Sequence, residues 1–411
     1  MRRLLLITNY FPPCAASASH RCLAMATHLP AHGWEVAVVA PPIAKFEAVD
    51  AELARKIPAA THMYPVPYPD QLWARIMSRV VWAEQWLPPA WAGVKRAIAE
   101  FKPDVVLTTS PPSCVHYLGM AVKARFGIPW VADMRDPWAT NVTLEYMLGL
   151  RGWIEATGEA AMARRADLII ANTPSNLHAL VERYPQAADR AVLVTNGFDP
   201  LPPPAGQSRR AAKDAITLIH AGEFYARRDP RPLLRVLAIL RQLPPPGLPR
   251  LRLRLLGRMN EELDITGLID RLGLGDVVEL AGQVSHAEVL SGLAAADILL
   301  SIQGPGYSGS IPAKLYEYLA FDKPILQLAE PGGDIDWALA SSGVPHRVVS
   351  QSDEGAIREA LLALVAALTD GAGPSGDPRR LRAFTREHLM GELAGHLDRA
   401  LQVRSHVAVP A

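Results

Sequence analysis

Short apolar runs alternate with helix-length periodic segments along the whole chain. This alternation is typical of parallel sheets with helices on both faces, so it predicts an α/β fold with doubly wound sheets. In the first half the predicted strands are Leu4–Thr8, Glu35–Ala40, Val105–Thr109, Trp130–Asp133, Leu168–Ala171 and Ala191–Thr195. In the second half they are Ile216–Ala221, Arg252–Gly257, Val277–Ala281, Ile298–Ile302 and Pro324–Leu328. Each half therefore has enough strands for a sheet of its own.

A proline-rich polar segment, Asp199–Ser208, separates the halves and lacks apolar periodicity. We therefore expect two Rossmann-like domains that face a cleft, since 411 residues suit two domains of about 100–200 residues each. An amphipathic helix at Leu381–Leu401 has no strand after it, so it is expected to pack back across the domain junction. The predicted parts are an N-terminal domain over 1–197, a linker over 198–214, a C-terminal domain over 215–380, and a crossover helix and tail over 381–411.

Charge and cysteine content narrow the class of protein. Lys and Arg number 42 against 41 Asp and Glu, a formal net charge of +1, which argues against a nucleic-acid-binding protein. Three scattered cysteines are too few for a disulfide framework or a cysteine-rich zinc site, and no apolar run reaches the roughly eighteen residues of a membrane span. We expect a cytoplasmic protein, at the inner face of a membrane if it contacts one.

A glycine-rich loop follows the predicted strand Ile298–Ile302. Gly304, Gly306 and Gly309 match the dinucleotide fingerprint, with Glu330 about twenty residues further on. Three interpretations stay open: a dinucleotide site, a tight turn, and a backbone cradle for an anion. We favour the cradle, because the predicted helix begins after the motif.

The cradle interpretation gives roles to the residues that follow the glycines. Ser310 is expected to cap the next helix, with Pro312 in its first turn. Lys314 can then reach a diphosphate, and Glu317 lies one helical turn further on the same face, where a carboxylate suits the hydroxyls of a ribose. Arg228, which precedes the predicted helix Pro232–Leu243, adds a cation that can stabilise a departing diphosphate.

In the first half, polar residues follow predicted strand ends. The segment Tyr10–Pro13 precedes Arg21, and Asp133-Met134-Arg135-Asp136-Pro137-Trp138 ends another strand. Two carboxylates beside an arginine can bind sugar hydroxyls, although Asp136 before a proline can equally cap a turn. The charge of Arg135 is expected to lower the pKa of both carboxyls and to weaken them as bases.

Taken in order from about Leu4 to Leu328, these motifs resemble GT-B glycosyltransferases, in particular the retaining glycosyltransferase family 4. That family has a Glu, seven residues and a second Glu; Glu317 matches the second, whereas Gly309 stands at the first. Asp133–Trp138 matches the D-x-R-D-P-W sequence of a bacterial subgroup. Asn196–Asp199 matches the family's hinge, and Cys14-Ala15-Ala16 replace the glycines of its first loop.

The resemblance implies a role for each candidate residue. The implied catalytic residues are Arg228, Lys314 and Asp133. The implied donor-nucleotide residues are Glu317, Gly222, Arg258, Val284, Gly306, Gly309 and Ser310. The implied acceptor-binding residues are Arg21, Arg135 and Asp136. No cluster of His, Cys and carboxylates has metal-ligand spacing, so no metal site is expected.

The resemblance also implies an activity. A member of this family moves a sugar from a nucleoside-diphosphate sugar to a glycan, lipid-linked or small-molecule acceptor with retention, without a metal, in bacterial polysaccharide or glycoconjugate synthesis. The donor is a co-substrate and no further cofactor is expected. Two alternatives stay open: an epimerase or phosphorylase on the same fold, and an inactive nucleotide-sugar-binding module, since Gly309 replaces a carboxylate.

Tryptophans and basic residues are concentrated in Leu72–Arg96. Aromatic and cationic residues together are the composition of an interfacial membrane helix, and equally of an aromatic stripe that packs on its own domain. Peripheral membrane contact is therefore one of two interpretations of this segment.

Overall fold

The computed structural model describes residues 1–42, 49–69, 84–139, 150–201, 215–224, 227–259, 261–370 and 376–407. The chain divides into two compact units. The first consists of Met1–Asn196 together with Arg386–Ala411, and the second of Gly197–Thr385. Each unit contains one parallel sheet with helices packed against it.

The sheet of the first unit has the strand order β3-β2-β1-β4-β5-β6-β7. Its strands are β1 Arg2–Thr8, β2 Trp34–Ala40, β3 His62–Pro65, β4 Val105–Thr109, β5 Trp130–Met134, β6 Leu168–Ala171 and β7 Ala191–Leu193. Its helices are α1 Ser17–His28, α2 Ala51–Arg55, α3 Leu87–Phe101, α4 His116–Phe126, α5 Leu150–Arg165 and α6 Pro174–Arg183.

The sheet of the second unit has the order β10-β9-β8-β11-β12-β13. Its strands are β8 Ala215–Ala221, β9 Arg250–Leu256, β10 Val278–Gly282, β11 Ile298–Ile302, β12 Ile325–Leu328 and β13 His346–Val349. Its helices are α7 Arg231–Gln242, α8 Ile265–Arg271, α9 His286–Ala295, α10 Ala313–Leu319, α11 Asp334–Ser342, α12 Glu354–Thr369 and α13 Pro378–Arg382. The last helix, α14 Arg386–Val407, belongs to the first unit.

The predicted α/β class with two doubly wound sheets is confirmed. Every predicted strand is present, with ends shifted by up to two residues. Central strands are found because helices bury both of their faces and their apolar runs are unbroken. The edge strands β3 and β13 escape prediction, since they are short and carry exposed or half-exposed side chains.

The helix predicted at Leu381–Leu401 is interrupted. The chain forms the short helix α13, leaves helical structure after Arg382 and starts α14 at Arg386. Apolar side chains of α14 join the core of the first unit next to Met25 of α1. The residues that do so are Leu389, Met390, Leu393, Ala394 and Leu397. The C-terminal helix therefore completes the core of the unit that begins the chain.

The tryptophan-rich segment lies partly outside the described residues, which exclude 70–83. In the part that is described, Trp86 is fully buried and its indole N–H donates to the Val66 carbonyl at 2.9 Å. Trp91 packs on the ring of Phe126, with 6.0 Å between centroids. These two tryptophans are core and packing residues of their own unit. Within the described residues, no helix is long and apolar enough to cross a membrane.

Candidate functional site

The carboxyl ends of four strands of the second unit, β10, β9, β8 and β11, lie side by side at one edge of the sheet. Gly222 follows β8, Gly257 and Arg258 follow β9, and Gln303 follows β11. Ligands of doubly wound sheets bind beyond this edge. The structure therefore brings the ends of the predicted donor segments to one place in the second unit.

Glycines at this edge allow close backbone approach. Gly257 has φ +125°, and a Cβ there would lie 2.3 Å from the Gly222 carbonyl oxygen. Gly222 has φ +144°, and a Cβ there would lie 3.0 Å from the Nζ of Lys314. The backbone N–H of Gly222 donates to the Leu256 carbonyl at 2.8 Å. Larger residues at either position would push the strand ends apart or displace the lysine.

The loop after β11 is a fixed part of this edge. A Cβ on Gly304 would lie 1.8 Å from the Arg227 carbonyl oxygen, so this glycine serves contact between backbones. Gly306 has φ +86°, a conformation that favours glycine. The Ser310 N–H donates to the Tyr307 carbonyl at 3.0 Å. Because that N–H closes a turn, the donor-nucleotide role implied for Ser310 cannot use it in this conformation.

The expected helix cap at Ser310 is wrong. The N-cap position of α10 is Pro312, without a side-chain cap, and the helix begins at Ala313. Lys314 and Glu317 both lie on this helix and are half-buried, three residues apart and so adjacent on its surface. The helix places an ammonium and a carboxylate beside each other at the sheet edge.

Lys314 and Arg228 form the cationic part of the site. The Nζ of Lys314 lies 3.2 Å from the Nε2 of His220, a buried residue of β8. Burial and the charge of Arg228 hold the pKa of Lys314 well below its ordinary value. Arg228 donates from Nη2 to the Oε1 of Gln303 at 3.1 Å. The two cations proposed from the sequence are therefore near enough for their charges to interact.

Arg258 and Val284 lie at the same edge. The backbone carbonyl of Arg258 accepts from the N–H of Phe224 at 3.0 Å, while its side chain is exposed. Val284 is half-buried and packs against the apolar cluster around Ile219. Both positions are compatible with the border of a nucleotide, and their roles stay predictions.

In the first unit, Arg21 and Asp133 bind each other. The Nε of Arg21 donates to Oδ2 of Asp133 at 2.9 Å and Nη2 donates to Oδ1 at 2.8 Å. Thr109 donates to the same carboxylate at 2.7 Å, and Arg21 also donates to the carbonyls of Val194 and Thr195. Both side chains are buried. This pairing favours a positioning role over the expected acceptor contact of Arg21 and catalytic role of Asp133.

Arg135 and Asp136 lie in the loop after β5. The Arg135 N–H donates to the hydroxyl of Ser110 at 3.4 Å, and burial lowers the pKa of its guanidinium. Burial raises the pKa of Asp136, and the charge of Arg135 opposes this only in part. The expectation that the pKa of Asp136 lies below its ordinary value is therefore wrong, because desolvation outweighs the lowering effect of Arg135.

Glu159 of α5 holds this loop, and the sequence analysis missed it. Its Oε2 accepts from the N–H groups of Trp138 and Ala139 at 3.0 and 2.8 Å, and its Oε1 accepts from the Tyr184 hydroxyl at 3.0 Å. A buried carboxylate satisfied by three donors is a structural anchor. The available signal was a pair of carboxylates, Glu155 and Glu159, spaced one turn apart on a helix.

A pocket lies next to this loop in the first unit. Its polar lining includes Asp136, Asn176 and Arg183. A carboxyl, an amide and a guanidinium can together bind hydroxyl groups. Among the described residues, no group of three His, Cys, Asp or Glu side chains could hold a metal ion.

Comparisons with known proteins agree with this geometry. Residues 18–197 match the family model described as Glycosyl transferase 4-like domain. A D-inositol 3-phosphate glycosyltransferase from Streptomyces scabiei is 29% identical over 230 residues, which are 53% of this chain and 51% of that protein. The chain thus spans about half the length of this curated relative.

Solved structures match over nearly the whole chain. Sucrose-phosphate synthase from Thermosynechococcus elongatus has a TM-score of 0.66 at 18% identity, covering 98% of this chain and 100% of that one. Anabaena HepE in complex with UDP has a TM-score of 0.59 at 16% identity, covering 99% and 100%.

The two parallel sheets and their structural neighbours define the GT-B fold of glycosyltransferases. Within that fold, residues 18–197 are similar to the glycosyl transferase 4-like domain. The GT-B fold predicted from the motifs is confirmed, and the similarity of residues 18–197 agrees with the family resemblance.

Proposed function

We propose that this chain is a glycosyltransferase that uses a nucleoside-diphosphate sugar as donor. The observation that carries the proposal is that Lys314 lies against Gly222 at the carboxyl edge of the second sheet, close enough to Arg228 for the charge of Arg228 to lower its pKa. Glu317 lies one turn further along the same helix. The second unit would bind the donor, with its diphosphate at the two cations and its ribose at Glu317. The first unit would bind the acceptor through the loop of Arg135 and Asp136.

The two cations are proposed to stabilise the negative charge of the departing diphosphate. Transfer breaks the bond between the anomeric carbon and a diphosphate oxygen, and the electron pair departs with the diphosphate. At an effective dielectric of about 20, a cation about 4 Å from a phosphate charge gains about 4 kcal/mol before desolvation is subtracted. Cations that meet charge as it develops lower the barrier of this step. They supply the electrostatic role that Mg²⁺ has elsewhere, so the proposed reaction is metal-independent.

Retention is part of the proposal. The acceptor oxygen would attack the anomeric carbon on the face from which the diphosphate leaves, and its proton would pass to the departing phosphate oxygen. This route needs no protein base opposite the leaving group. The resemblance to family 4 supports this route. If the reaction were inverting instead, Asp136, whose pKa is raised by burial, would be the candidate general base.

The acceptor is proposed as a glycan, a lipid-linked glycan or a small polyol. The relative named above is a D-inositol 3-phosphate glycosyltransferase, and polysaccharide or glycoconjugate synthesis in bacteria is the setting that the motif subgroup implies. An epimerase or phosphorylase on this fold, or an inactive binding module, would bind the nucleotide at the same sheet edge. Each would differ from a glycosyltransferase in the products that it forms.

Ligand screening followed by turnover tests the proposal. A nucleoside diphosphate that binds only the folded protein raises its melting temperature, so a panel of nucleoside diphosphates and their sugars should identify the donor. Incubation of that donor with candidate acceptors should release free nucleoside diphosphate and form a glycoside. Epimerised donor without release would indicate an epimerase, and binding without any turnover would indicate the inactive module.

A further inference from the structure

His220 has a defined tautomer in the second unit. The side chain is fully buried on β8, and its Nδ1 lies 3.0 Å from the backbone carbonyl of Leu300 on the neighbouring strand β11. A carbonyl oxygen only accepts, so the Nδ1 carries the hydrogen. The Nε2 of the neutral ring is then a hydrogen-bond acceptor.

The acceptor of His220 faces Lys314. Its Nε2 lies 3.2 Å from the lysine Nζ, and an ammonium group only donates, so donor and acceptor are complementary. The imidazole also packs against Phe224 in a tilted arrangement, with 4.6 Å between ring centroids. Tyr318 accepts from the Ala221 N–H at 2.9 Å and donates to the same Leu300 carbonyl at 3.2 Å. The ring is therefore held at Nδ1 by the Leu300 carbonyl and packed against Phe224.

The surroundings keep His220 neutral. Burial, the charge of Lys314 and the charge of Arg228 lower its pKa well below the ordinary value, against a smaller effect of the Leu300 carbonyl. The groups that act on the ring are thus the charges of Lys314 and Arg228 and the carbonyl of Leu300. A fully buried ring in this state is not placed to exchange protons with a substrate, which excludes a role as general acid.

We propose that His220 is a positioning residue for the proposed glycosyltransferase, holding the Lys314 ammonium at the place where the donor diphosphate binds. The inference rests on the proposed function. Lysine has a flexible four-carbon stem, and directing it costs side-chain entropy unless a partner holds it beforehand. Gly222 leaves room for the ammonium, because a Cβ there would lie 3.0 Å from Nζ. The ammonium can use its other donors on the diphosphate.

Three substitutions separate the functions of the ring. His220→Asn keeps a nitrogen near the Nδ1 position for Leu300 and removes the acceptor for Lys314. His220→Gln places an amide oxygen near the Nε2 position. Lys314→Ala removes the group that is held. His178, an exposed residue of α6 whose side chain is 83% accessible, gives the matched control His178→Asn.

Calorimetry with the nucleoside diphosphate found in the ligand screen measures the effect. His220→Asn should weaken the affinity of the protein for the nucleoside diphosphate by about tenfold. His220→Gln should recover part of that loss, and His178→Asn should leave the affinity unchanged. In the Lys314→Ala background, His220→Asn should have less than a twofold effect, because the group it positions is gone. Turnover should fall further than affinity, as it should in Lys314→Ala, because His220 acts through that lysine.

Two results would overturn the assignment. An equal loss from His220→Asn with and without Lys314 would make His220 a core residue only, as would a His220→Gln variant no better than His220→Asn at equal urea midpoints. If the unmodified protein binds no nucleoside diphosphate in the screen, the proposed function itself fails and takes the positioning role with it. Binding by the unmodified protein with unaffected His220 variants rejects only the positioning role.

Discussion

Arg21 and Asp133 meet through two hydrogen bonds of 2.9 and 2.8 Å although 112 residues separate them in the chain. The pair ties α1 to the end of β5, and Arg21 extends to the carbonyls that follow β7. Both side chains are buried, so the charges are stabilised by each other and by the neighbouring donors and carbonyls. The arrangement fixes the carboxyl edge of the first sheet.

Removing one member of this pair should destabilise the protein. Asp133→Ala leaves a buried guanidinium without its carboxylate, which typically costs about 3–5 kcal/mol in the free energy of unfolding. Urea denaturation measures it. The exposed pair Arg235–Glu354 is the control, and Arg235→Met should cost at most about 1 kcal/mol. A stable Asp133→Ala protein that has lost only turnover would restore the catalytic role first expected of Asp133.

Glu317→Gln should weaken nucleoside diphosphate binding while leaving the fold intact. One charge-assisted hydrogen bond is worth about 1.5–3 kcal/mol, so the dissociation constant should rise by at least about tenfold in calorimetry. Glu359→Gln, on the exposed face of α12, serves as the comparison and should bind normally. Unchanged affinity in the Glu317 variant would remove this residue from the ribose site.

Arg228→Ala and Lys314→Ala should lose more in kcat than in donor affinity, because only interactions stronger in the transition state speed the chemical step. Loss of one such stabilising group typically costs about 100–1,000-fold in kcat. EDTA should leave turnover unchanged, and Arg358→Ala, exposed on α12, should behave like the unmodified protein. A defect confined to KM, or activity lost to EDTA and restored by Mg²⁺, would contradict the proposed mechanism.

Nucleoside diphosphate binding should depend on pH through Lys314. Its pKa is lowered by burial and by Arg228, so the ligand-free protein loses this charge at a lower pH than an ordinary lysine would. Affinity should therefore fall as the pH rises through that lowered pKa, and binding near it should take up protons. The ligand-free fold should become more stable over the same rise, because the buried charge disappears.

Calorimetry in buffers of different ionisation enthalpy gives the number of protons taken up. Lys314→Met should abolish the uptake, and Arg228→Ala should reduce it by removing the neighbouring charge. Proton uptake that persists in Lys314→Met would assign the titration to another group.

The glycoside formed should retain the anomeric configuration of the donor, because the acceptor is proposed to attack on the face from which the diphosphate leaves. NMR of the product settles the configuration. An inverted anomer would reject the mechanism and make Asp136, whose pKa is raised by burial, the first candidate for the base. Asp136→Asn would then abolish turnover, whereas in the retaining route it should mainly raise KM for the acceptor.

The sequence predicts the sheets and the cationic edge for one physical reason. Buried parallel strands have unbroken apolar sequences, and the carboxyl ends of such strands share an edge, so Gly222, Arg228 and Lys314 could be placed together without coordinates. The contact between His220 and Lys314 could not be found this way. A histidine within an apolar run looks the same whether it faces the core or a partner on another element.

The pKa of Asp136 was beyond prediction for a different reason. The direction of its shift depends on how deeply Asp136 is buried in the folded chain. Glu159, which binds the same loop from a separate helix, is far from it in the sequence. The sequence shows only that Arg135 is the neighbour of Asp136 in the chain. Likewise, Ser310 looks like a helix cap until the turn to Tyr307 is seen.

Because α14 belongs to the first unit, that unit is built from two segments that are far apart in the sequence. Leu389, Met390 and Leu393 reach its core only after the ribosome has synthesised the whole second unit. The second unit is thus an insertion in the first, and a nascent chain ending near Asn196 exposes the apolar surface that α14 covers. The core of the first unit is therefore complete only after translation has passed Leu397.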